Sequence, residues 1–198
     1  MVGTWSEGWD RLWEAHLLLD VGLPALGGLG DVGWFGVMGA GTLVLSFAVA
    51  APLVARVEKF GQRRLATYLL VLHAVLILTA TGFALAGSLW VAVGAFWATA
   101  VVRDLISAPY RTWLNASISE SRVRATVLSV VGVAGSAGEW LGGPLLGWVG
   151  TGWSVRTALL VGAAALTPVL VLFGRAVRHH GRADDVLMVA TEVREPPA

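Results

Sequence analysis

The chain of 198 residues contains no cysteine and little charge. Without Cys there can be no disulfide, no thiolate metal site and no Cys nucleophile. Asp, Glu, Lys and Arg make up 14% of the residues, where a soluble domain carries about 25%. The four His (16, 73, 179 and 180) are scattered and form no metal set. A net charge of +1 offers no field that would gather nucleic acid. No G-x-x-x-x-G-K-[ST] is present, which argues against nucleotide-driven work and against any nucleotide cofactor. Gly135-Ser136-Ala137-Gly138 lacks the G-x-S-x-G spacing of a serine nucleophile turn. Asp104 has no second apolar-zone Asp with which to build a paired-Asp protease. Met1 is not followed by a basic stretch and an apolar core, so no signal peptide is visible. Together these absences argue against an enzyme.

What is there is hydrophobic: 56% of the residues, with a mean hydropathy of +0.72. The expectation is an integral membrane, all-α chain lying in a lipid bilayer. Residues 32–55 run without a charge, spanning about 36 Å as a helix against a hydrocarbon core of about 30 Å. Residues 65–102 also carry no Asp, Glu, Lys or Arg. That is too long for one span, and Ala86-Gly87-Ser88 divides it into helices near 65–85 and 89–110. Residues 124–149 and 155–174 supply two more spans.

The N-terminal stretch differs. Trp5, Trp9, Trp13 and Leu17 recur at four-residue steps, with Glu7, Asp10, Arg11 and Glu14 opposite. Thr4-Trp5-Ser6-Glu7 fits a capping box. Two readings stand: an interfacial helix held by its tryptophans, or a truncated spanning helix whose Glu7 and Asp10 face a cavity. The expected organisation is a helix at 1–19, a transmembrane bundle at 20–178, and a loosely ordered, charged cytoplasmic tail at 179–198. That makes five full spans plus a truncated N-terminal helix.

Lys and Arg are distributed unequally. Arg56, Lys59, Arg63, Arg64, Arg111, Arg122, Arg124, Arg175, Arg178 and Arg182 fall on one side of the expected spans, and Arg156 alone on the other. The basic side reads as cytoplasmic, with the C-terminus on it, in a multi-pass protein of the cell membrane.

Within this apolar frame a few polar residues stand out. Glu139 sits near the middle of the 124–149 span, and Gly132, Gly135, Gly142 and Gly143 share its helical face. A glycine face lets another helix come close. A charge at the centre of a span costs about 2.5–3.5 kcal/mol to insert, so Glu139 is expected to face protein or a wet cavity. It would either exchange a proton as that cavity opens and closes, or hydrogen-bond a neighbouring helix as a structural group. Arg103 and Asp104 lie in the apolar zone of the 89–110 helix, where Thr99, Arg103, Ser107 and Tyr110 form one polar stripe. That stripe could wall a substrate path. Alternatively Asp104 neutralises Arg103, which snorkels to the headgroups. Glu58-Lys59-Phe60-Gly61-Gln62-Arg63-Arg64 joins two spans on the basic side and can pair charges with helix ends or act as a plain positive loop.

That heptapeptide resembles the D-R-x-G-R-R/K core of the loop signature of the major facilitator superfamily (MFS). Glu58 stands for the usual Asp, and Val54 and Arg56 stand where the leading Gly and Leu would be. Gly138 to Gly147, containing Gly142, Gly143 and Pro144, resembles the superfamily's Gly-Pro antiporter motif, with Glu139 at its first Gly. Arg103 matches the membrane-embedded Arg of the fourth helix of each repeat, and S-E-G-W-D-R-L-W-E-A-H-L-L resembles the outer end of a seventh helix. The resemblance covers nearly all of residues 1–178, as a C-terminal six-helix half of a twelve-helix fold. It implies a secondary transporter, with proton-coupled efflux of a small-molecule substrate as the expected activity. Glu139, Arg103, Asp104, Glu7 and Asp10 would line the path, and Glu58, Lys59, Gly61, Arg63 and Arg64 would form the cytoplasmic loop motif. Gly138, Gly142, Gly143 and Pro144 would serve packing and kinking. The partner would be an N-terminal half supplied separately or a second copy. The rival expectation is a membrane interaction or scaffold protein without transport, or an inactive fragment.

Overall fold

The computed structural model describes residues 1–24, 30–57, 60–118 and 120–192; at 50, 51, 54–56 and 180–192 it describes the backbone alone. Glu58 and Lys59 therefore lie outside the described residues. The described chain is all-helical. Its elements are α1 (Val2–His16), α2 (Gly30–Val57), α3 (Gln62–Ala84), α4 (Leu89–Ser117), α5 (Ser121–Gly152), α6 (Val155–Ala164) and α7 (Thr167–Glu192). A π-turn, Leu17–Val21, continues α1. Helices α6 and α7 form one broken rod, so the described residues make six rods.

Four rods are long and apolar enough to cross a membrane: Gly30–Val49, Gln62–Ala84, Leu89–Ser117 and Val155–His179. The sequence predicts five full spans, and four rods meet this length and apolarity. The exception is α5, which has 32 residues but is rich in glycine, with Ser136 and Glu139 in its interior. Its apolar residues are diluted by these glycines and polar groups. The backbone of α7 is helical to Glu192.

The break between α6 and α7 has a local cause. Pro168 has no N–H for the Ala164 carbonyl, and the Thr167 hydroxyl takes that carbonyl instead, at 2.8 Å. At the start of α6, Ser154 is an N-cap whose Oγ accepts from the Thr157 N–H at 3.0 Å.

The position of α1 is the main departure from the interfacial reading. Trp5 and Trp9 are 2% and 3% exposed, and His16 is fully buried. The tryptophans face inward: Trp9 meets Phe83 of α3 at 4.8 Å between centroids, and Trp13 meets Phe96 of α4 at 4.7 Å. These rings join Leu69, Leu76, Leu159 and Leu166 in the main core. The i+4 Trp stripe thus marks a core-facing side.

Glycine is what lets α1 in. A Cβ placed on Gly142 would fall 2.2 Å from the Thr4 carbonyl oxygen, and one on Gly3 would fall 2.6 Å from the Gly135 carbonyl oxygen. On Gly8 it would fall 2.1 Å from a Leu146 methyl carbon. Backbone therefore meets backbone, a spacing that larger residues prevent. The order of contacts, Gly3 to Gly135 and Gly8 to Leu146, makes α1 and α5 parallel. The first turn of α1 lies halfway along α5, and residues 121–134 of α5 are largely exposed. A similar device joins α2 to α4. Gly41 leaves room for the Trp97 ring, and the Trp97 indole N–H donates to the Met38 carbonyl at 3.1 Å.

Gly142→Ala should lower thermal stability in detergent by an amount typical of overpacking, about 1–3 kcal/mol. Gly132→Ala, where a Cβ meets open space, should be neutral or stabilising by up to about 1 kcal/mol through helix propensity. Thermal melts of the two variants against the parent chain check the contrast.

Candidate functional site

Where α1 crosses α5, a cavity of about 570 Å³ is lined by Glu7, Arg11, Glu139, Trp140, Gly143 and Pro144. Each lining group follows from its helix. Glu7 and Arg11 stand one turn apart on α1 and form an ion pair, Arg11 Nε to Glu7 Oε1, at 2.5 Å. The Arg11 side chain lies over Gly143, where a Cβ would come within 2.8 Å of Nε. On α5, Glu139 and Trp140 precede the Gly142-Gly143-Pro144 turn. Pro144 has no N–H to give the Trp140 carbonyl, so that carbonyl lacks its helical donor.

Glu139 is exposed to this cavity and makes no hydrogen bond or ion pair with the other described residues. Among the described residues its side chain bonds no neighbouring helix. The cavity therefore holds one internally neutralised pair and one free carboxylate.

A second polar station lies across α1, on α4. Arg103 donates to both carboxylate oxygens of Asp10, at 2.6 and 2.9 Å, and to the Ser6 hydroxyl at 2.6 Å. Its guanidinium also lies 5.4 Å from the Trp5 ring centroid. Its neighbour Asp104 turns the other way and accepts from the Ser46 hydroxyl of α2. Consecutive residues of α4 thus hold two different helices. Of the two readings of this stripe, the one in which Asp104 pairs with Arg103 is not the arrangement found. The reason is that α1 lies inside the bundle and brings Asp10 within reach, while successive side chains on a helix diverge by about 100°. The rest of the α4 stripe is local: Thr99 and Ser107 bond their own helix at the Ala95 and Asp104 carbonyls.

Arg103 and Glu139 are not bonded to each other, but both face α1. Ser6 and Asp10 meet α4, and Glu7 and Arg11 face the α5 cavity. The basic loop is elsewhere. Gly61 caps the start of α3, and Arg63 and Arg64 are exposed on its first turn, away from the cavity lining. Among the described residues no group of three or more His, Asp and Glu is placed to hold a metal ion.

Sequence reasoning missed His16 and Asp20. The His16 ring nitrogens contact Asp20 Oδ2 at 2.7 Å through Nδ1 and the Phe83 carbonyl at 3.0 Å through Nε2. A carbonyl only accepts, so Nε2 carries a proton. Through these contacts His16 ties the end of α1 to the end of α3, with Asp20 held from the π-turn. The i, i+4 spacing of His16 and Asp20 was the available signal. It carried no weight while α1 could be read as a surface helix. His73 matches its reading as a packing residue: it is 2% exposed, bonds the Leu69 carbonyl and lies 5.1 Å from Phe173.

The chain matches no family model, no curated protein and no solved structure. Its class is therefore set by its own architecture: an all-helical bundle, four of whose helices are long and apolar enough to cross a membrane, with charged residues along α1, whose Trp face alone is buried.

If the Arg103–Asp10 pair holds α1 to α4, a double-mutant cycle with Arg103→Gln and Asp10→Asn should give a coupling of about 0.6–1.7 kcal/mol, the range measured between membrane helices. Unfolding in mixed micelles of the single and double variants reads this coupling directly. Additive single effects would show that the pair contributes nothing.

Proposed function

We propose that this chain is a membrane protein and half of a secondary transporter of the MFS type, working by alternating access and coupling solute efflux to protons. The observation that carries the reading is Glu139, a carboxylate without a partner, exposed to a cavity between two helices packed backbone to backbone. Ionisable groups within apolar helices mark ion and substrate pathways. A free carboxylate beside a solute-sized space can exchange a proton for a bound solute. Support also comes from α1: it carries polar contacts to α4 on one side and lines the cavity on the other.

A rival reading is a membrane interaction protein that does not transport. It is favoured by large apolar side chains left uncovered on α2 and α5, including Phe47 at 80% and Trp140 at 87% exposure. In the transporter reading these same faces meet lipid or the complementary half, whether separately supplied or a second copy.

Glu139→Gln should abolish solute accumulation driven by an imposed pH gradient in inverted membrane vesicles from cells that make the protein, with the inserted amount unchanged. Accumulation of a panel of fluorescent solutes measures this. Undiminished accumulation by the variant would remove Glu139 from the coupling role.

The orientation follows from charge. Arg63, Arg64, Arg111, Arg122, Arg124, Arg175 and Arg178 fall at one set of helix ends, the set we assign to the cytoplasm. The chain has no native Cys, so single cysteines report cleanly. An impermeant maleimide applied to intact cells should label Thr151→Cys and spare Arg63→Cys; the reverse pattern would invert the topology.

A further inference from the structure

We draw no further inference here: the strongest candidate, the bare face of α5 over residues 121–134, continues the line of the glycine crossing with α1 and leaves Gly132 open to space, but nothing in the structure shows what covers it.

Discussion

The close crossing of α1 and α5 is the contact on which the rest of the arrangement depends. Thr4 approaches Gly142 so nearly that a single Cβ would fall 2.2 Å from a carbonyl oxygen. Only residues without side chains allow this. The result is that a helix bearing Glu7, Asp10, Arg11, Glu14 and Asp20 along its length and its π-turn is drawn into the bundle. Dispersion and backbone packing hold it there, with the Trp5, Trp9 and Trp13 rings filling the space against α3, α4 and α6.

With its Trp face packed on the bundle, α1 keeps its charged face exposed, and several of those charges are paired. Asp10 is met by Arg103, Glu7 by Arg11, and Asp20 by His16. These three pairs explain why polar residues on α4 look the way they do: Arg103 serves α1, and Asp104 turns to Ser46 on α2. Glu139 on α5 is left without a partner beside a cavity. The candidate site is therefore a residue of the packing. It lies where the glycine crossing opens a space and the charge pairing runs out.

The long apolar rods could be read from the sequence because an uncharged run longer than about 20 residues has few other folds. Helices α2, α3 and α4 begin and end within a few residues of the uncharged runs or the Ala86-Gly87-Ser88 turn, except that α4 continues through Pro109 and Arg111 to Ser117. The α1 stripe was ambiguous, since Trp at four-residue steps suits an interface and a core equally well. The glycine face around Glu139 foretold a close neighbour without saying which helix it would be. Asp104 was the nearest acid to Arg103 in the sequence, but adjacency along a helix places side chains about 100° apart. The true partner was 93 positions away.

By itself the sequence determined an all-helical chain with several rods of membrane-crossing length, because composition and uninterrupted hydrophobicity are properties of local segments. It also determined that a carboxylate sits amid glycines on α5. Only the tertiary structure decided that the Trp face of α1 joins the core, that its partner is α5, and that Arg103 answers Asp10 while Glu139 answers no other described residue. Each of those facts is a pairing between distant segments. A pairing depends on which backbones can approach closely enough, and that is settled in three dimensions by where the glycines of two helices coincide.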